Sequence, residues 1–126
     1  LELERGEHAV ARRELERAAQ FAAEAGDELG RAEGERLMAL LALREGDPGA
    51  ALLQAERGRA TAMGLGSALL AAECAAVAAL ALQRLGRREP AEERRVEAMT
   101  GFERLGATVL AARLQSAWNE GGTTRS

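Results

Sequence analysis

The amino-acid sequence predicts an all-α fold of antiparallel helical hairpins, about three units of ~40 residues stacked as a right-handed α-α superhelix. Three observations carry this prediction. Hydrophobic residues make up 47% of the 126-residue chain but aromatics only 2%, so alanine and leucine must supply the core. Both are strong helix formers, and the β-branched residues that favour strands are scarce. Glycines recur with a fixed period: Gly6, Gly46 and Gly86 are 40 apart, and Gly26, Gly66 and Gly106 interleave with the same spacing. Finally, charges alternate in sign, as in Glu14-Leu15-Glu16-Arg17, which is the pattern of solvated helix faces.

A glycine at every twentieth position leaves about 17 residues, or roughly 25 Å, of helix between turns. The predicted helices are therefore Glu7–Ala25, Glu28–Glu45, Pro48–Met63, Ser67–Leu85, Arg88–Leu105 and Ala107–Asn119. Residues 1–5 read as the end of a preceding helix. Residues 1–120 read as a single repeat domain, and residues 121–126, Gly-Gly-Thr-Thr-Arg-Ser, as a disordered tail. The chain has no initiator methionine and begins in mid-pattern, so it is expected to be a piece of a larger protein. Other columns keep the period: Ala11, Ala51 and Ala91; Ala18, Gly58 and Ala98; Leu29, Leu69 and Val109; Ala32, Ala72 and Ala112. On the first helix, Val10, Leu15, Ala18, Phe21 and Ala22 form an apolar strip expected to be exposed.

The stretch Arg44-Glu45-Gly46-Asp47-Pro48-Gly49-Ala50-Ala51-Leu52 has two readings. A glycine-bracketed loop that opens into a helix can bind an anion on free backbone N–H groups. It can equally be a turn, with Gly46 left-handed at the end of one helix, Asp47 the N-cap of the next and Pro48 its first residue. The period favours the turn, because equivalent sites carry Glu7-His8 and Arg87-Arg88, which share no anion chemistry.

Several function classes are excluded or disfavoured. All 17 basic residues are arginine, so a Walker-type phosphate loop, a Schiff base and a lysine general base are ruled out. The excess of Ala, Gly and Arg points to a GC-rich bacterial genome. A net charge of −3 predicts no general affinity for nucleic acid or anionic membrane. Cys74 is the single cysteine, which precludes an internal disulfide and suits a reducing cytoplasm. No signal peptide is visible. The most apolar run, Ser67 to Leu82, is interrupted by Glu73 and is shorter than the ~20 residues of a membrane span.

Candidate sites reduce mainly to packing. His8 is the one histidine, so no histidine-rich zinc site can be assembled, and a packing or capping role is expected. Cys74 has no basic neighbour close in sequence and reads as an inert core thiol. A Ser-His-Asp triad from His8, Asp27 or Asp47, and Ser67 or Ser116 has no support in spacing. Arg87-Arg88 and Arg94-Arg95 lie among Glu89, Glu92, Glu93 and Glu97 and read as an ion-pair face. Trp118 is expected to cover the end of the core. No catalytic residue, metal site or cofactor is predicted.

Turn Gly-Asp with alanines following at helical spacing is similar to the tetratricopeptide repeat. The positions that carry the resemblance are Ala39, Ala42, Gly46, Asp47, Ala51, Ala55 and Gly58 in the second unit. In the third they are Ala79, Leu82, Gly86, Ala91 and Ala98, and the first unit supplies Gly6, Ala11, Leu15 and Ala18. The family's aromatic positions are filled by Ala42, Leu82 and Ala55, and the period is 40 rather than about 34. Longer repeats of this kind resemble those of large bacterial regulators, such as LuxR-type transcription regulators and kinases or cyclases with an NTPase and a repeat arm. The segment Gly101-Phe102-Glu103-Arg104-Leu105-Gly106-Ala107, with Ala111-Ala112-Arg113 after it, resembles the last repeats of such arms.

The resemblance implies a cytoplasmic, non-enzymatic module for protein–protein interaction or signal reception. Self-association and small-molecule sensing stand as alternatives. It also implies a concave partner-binding face on the first helix of each hairpin, made of Glu33, Arg36, Leu40, Leu43, Arg44, Glu73, Leu80, Gln83, Arg84 and Arg113. A protein or peptide partner is expected there, with no direct nucleic acid or membrane contact and a possible homo-oligomer. The asparagine and lysine with which some family members clamp a C-terminal carboxylate are missing, since Leu40 and Leu80 stand at the asparagine position.

Overall fold

The computed structural model describes the backbone of residues 2–124 and the side chains of residues 6–121. Among the described residues the chain is all-helical: α1 (Glu2–Ala25), α2 (Glu28–Arg44), α3 (Pro48–Gly64), α4 (Ala68–Arg84), α5 (Arg88–Leu105) and α6 (Thr108–Thr124). The predicted limits of α2 to α5 hold to within one residue at each end.

One turn geometry sets these limits five times. Gly26, Gly46, Gly66, Gly86 and Gly106 have φ between 69° and 80°, the left-handed region that a Cβ disfavours. At each turn two N–H groups close the helix end. Gly46 donates to the Leu43 carbonyl (3.2 Å) and Asp47 to that of Ala42 (2.9 Å), with equivalent pairs at the other four glycines. The residue after the glycine then starts the next helix. The Asp27 and Asp47 carboxylates accept from the N–H groups of Gly30 (2.8 Å) and Ala50 (3.1 Å), and Pro48 occupies the first helical turn. The Arg44–Leu52 stretch is thus a helix–turn–helix junction.

Two expectations fail at the ends. Gly6 is not a turn: α1 runs from Glu2 through it to Ala25. A glycine inside a helix costs only about 1 kcal/mol, and among the described residues α1 packs only against α2, so nothing forces a reversal at Gly6. The last helix, expected to end at Asn119, runs as far as Thr124, while Arg125 and Ser126 lie outside the described residues. Here Gln83 of α4 donates to the Trp118 carbonyl (3.0 Å) and Gly121 lies against Gln83, so α6 keeps contact with α4 beyond Asn119.

Consecutive helices pack antiparallel. A Cβ on Gly34 would touch that of Ala19 at 3.8 Å, and Arg12 of α1 pairs with Glu45 just beyond α2. Small residues set the approach elsewhere. A Cβ on Gly58 would lie 2.9 Å from Cys74 Sγ, and one on Gly101 2.9 Å from Ala72 Cβ. Next-but-one helices run parallel, and α2, α4 and α6 form a contiguous layer. On the other side, no Cα of α3 comes within 8 Å of one in α5. The central helix α4 is covered most completely, burying Leu70, Ala72, Cys74, Ala75, Val77, Ala78, Ala79, Ala81 and Leu82.

Candidate functional site

The predicted binding residues lie mostly on one surface of the α2–α4–α6 layer. On α2, Glu33, Arg36, Leu40 and Arg44 share a face by helical spacing, and Glu73, Leu80 and Arg84 repeat it on α4. Leu40 and Leu80 are half-buried. Leu40 packs on the cluster around Ala39, Ala42, Val77 and Ala78, and Leu80 bridges that cluster to the one around Ala72, Ala98 and Phe102. Each leucine therefore shows one flank to solvent while the other belongs to the core.

Charges cross the seam between α2 and α4. The Arg36 guanidinium pairs with Glu33 on its own helix, and its Nη1 lies 3.7 Å from Glu73 Oε2 on α4. Burial pushes the Glu73 carboxyl above its ordinary range, with Arg36 opposing and Glu33 adding to the rise. Arg36 Nε is buried with no hydrogen-bond partner. The arrangement is a partly desolvated acid–base–acid row beside the leucine positions.

Three predicted members do something else. Leu43 is 6% exposed and belongs to the core, because the last turn of α2 faces α3 and α4. Arg84 Nη1 donates to the Leu43 carbonyl at 2.7 Å, so it closes the C-terminal end of α2. Gln83 bonds the Trp118 carbonyl of α6. Arg44 and Arg113 are exposed.

The remaining candidates fall into structural roles. Cys74 is buried against Ala32, Ala62 and Leu70, and burial pushes its thiol up to about 12, which keeps it protonated and unreactive. His8 is half-buried within α1 rather than beside a turn. Arg94 forms a two-pronged pair with Glu56 (2.7 and 2.8 Å), and Arg59 forms one with Glu97 (2.6 and 2.8 Å), tying α3 to α5. The hydrogen bonds from Arg94 hold the Glu56 carboxyl below its ordinary value. Arg95 pairs with Glu92 and stacks on the Trp118 ring at 5.4 Å. Arg94 and Arg95 thus belong to an ion-pair face, and Trp118 of α6 is half-buried beneath Arg95.

Two features escaped the sequence reading. Glu35 Oε1 is buried without a hydrogen-bond partner, and burial raises its carboxyl above the ordinary range, with Arg31 and Arg57 opposing. Its burial follows from the close approach of α3 at Gly58, which abuts Glu35 Cβ. An open groove of about 610 Å³ lies between α1 and the start of α2, lined by Ala18, Phe21, Ala22 and Gly30 among others. The strip on α1 signalled it, since Phe21 is 75% exposed and Val10 is exposed as well. Ala22, by contrast, is buried, and Leu15 is half-buried.

No group of three or more His, Cys, Asp and Glu among the described residues is placed to hold a metal ion, and none of their helices is long and apolar enough to cross a membrane. No protein-family model matches the chain, nor does any curated protein or solved structure.

Proposed function

We propose that this chain is a tetratricopeptide-like helical-repeat module that binds a protein segment on the α2–α4–α6 face and performs no chemistry of its own. In this reading its hairpins stack as a right-handed superhelix, and it serves as the cytoplasmic interaction or signal-receiving part of a larger bacterial regulatory protein. The observation that carries the reading is the repetition on α2 and α4 of one half-buried leucine, Leu40 and Leu80, beside the Glu33–Arg36–Glu73 row. An amphipathic acidic helix fits this chemistry. Its apolar side covers the free flanks of the leucines, and its carboxylates meet Arg44 and Arg113.

A labelled peptide with leucines at helical spacing and glutamates between them provides the test, read by fluorescence anisotropy. Binding should weaken at least tenfold in Arg44→Glu and in the double variant Leu40→Gln/Leu80→Gln, with helicity retained by circular dichroism. It should also weaken as salt rises. Affinity that ignores all three changes, or no binding at all, rejects the face as the binding site.

A further inference from the structure

One alanine recurs at a 40-residue interval: Ala32 in α2, Ala72 in α4 and Ala112 in α6. The first two are buried, each pressed onto the hairpin that follows it. Ala32 clusters with Ala62, Leu70 and Cys74, and its carbonyl is 3.3 Å from where a Gly58 Cβ would stand. Ala72 meets Gly101 and clusters with Ala98 and Phe102. Ala112 is exposed. At the opposite end of the chain, the positions equivalent to Gly58, Ala62 and Leu70 are Ala18, Ala22 and Gly30, which line the open groove. Among the described residues this alanine is thus seated on the following hairpin twice, while Ala112 and the α1–α2 groove, which Glu14, Arg17 and Asp27 also line, are left uncovered.

We propose that the groove between α1 and α2 in one copy receives the Ala112 face of α6 from a second copy, head to tail. This rests on reading the chain as an interaction module but uses a different surface, sharing only Arg44 with the inner face. Arg44 is an independent argument for the pairing. Its equivalent Arg84 closes the end of α2 by donating to the Leu43 carbonyl. In the head-to-tail pair Arg44 meets the last carbonyls of the second copy's α6, where a cation is favoured by the helix dipole. Phe21 occupies the position of Gly101, so the incoming helix sits further out than α4 does on α5, and the ring is buried against its flank. A contact of this kind joins unlike surfaces and does not close on two copies, so it adds chains at both ends.

Sedimentation velocity of the 126-residue chain over a hundredfold concentration range tests the proposal. The mass should rise continuously past that of a dimer. Phe21→Glu and Ala112→Arg, both at exposed positions, should each give a monomer with unchanged helicity. An equimolar mixture of the two variants should give a dimer and nothing larger, because it contains one intact groove and one intact Ala112 face. A wild-type monomer throughout the range overturns the proposal, as does a closed dimer lost only in Phe21→Glu. A mixture that stays monomeric overturns it too. None of these outcomes bears on peptide capture at Leu40 and Leu80, so either reading can fail alone.

Discussion

Helices α2 and α4 stand in the same relation as α3 and α5, one hairpin apart and parallel, yet different forces join them. The first pair packs backbone-close, with Ala39, Ala42, Ala78 and Ala81 sharing one cluster. The second pair stays apart and is bridged by guanidinium–carboxylate pairs, Arg94 with Glu56 and Arg59 with Glu97. Small side chains therefore set the geometry on one side, and charged side chains span the wider gap on the other.

The largest expected effect comes from filling the packed interior, where α3 and α5 present small residues to the core. Ala51 and Ala91 are fully buried at equivalent positions, so replacing either with leucine should cost about 1–3 kcal/mol in urea denaturation, because a packed core has no room for the added carbons. Midpoints unchanged in both variants would remove the packing argument. Next comes the turn between the halves: Asp47→Ala deletes the cap on Ala50 N–H and should cost about 1 kcal/mol, leaving the helix boundaries in place.

The wide side should respond least. Arg94→Ala breaks the bridge to Glu56, and a partly exposed pair of this kind contributes roughly 0.2–1 kcal/mol. Its signature is the pH dependence. The Glu56 carboxyl titrates below its ordinary value of 4.5 in the folded chain, so its contribution is present above 4.5 and is lost as pH falls through the folded value. Glu35 and Glu73 have raised values, so their contribution is fully present at low pH and is lost as pH rises through their folded values. Glu56→Gln should therefore lose less stability than the wild type between pH 7 and pH 3. Equal losses would show that the bridge is energetically silent.

Much of this arrangement was legible in the sequence because turns are local. A glycine in the left-handed region and an N-capping aspartate need only their own neighbours, and four helices were located to within one residue from glycine spacing and caps. Gly6 shows the limit. It shares the column of Gly46 and Gly86, but a reversal requires a helix to pack against, and α1 touches only α2 among the described residues. The site was legible in part. Spacing placed Leu40 and Leu80 in register, while only the fold could assign Leu43 to the core and Arg84 to the end of α2.

The sequence by itself determined the all-helical class, the five glycine turns and the register of small residues, since propensity and backbone conformation act over a few neighbours. Tertiary structure decided which charges became bridges and which became buried. Glu56 and Glu35 look alike in sequence, yet one accepts two hydrogen bonds from Arg94 and the other has a buried oxygen with no partner. The physical reason is distance. Whether a carboxylate meets a guanidinium, water or a methyl group depends on how closely a helix from elsewhere in the chain approaches, and that approach is set by the small residues between them.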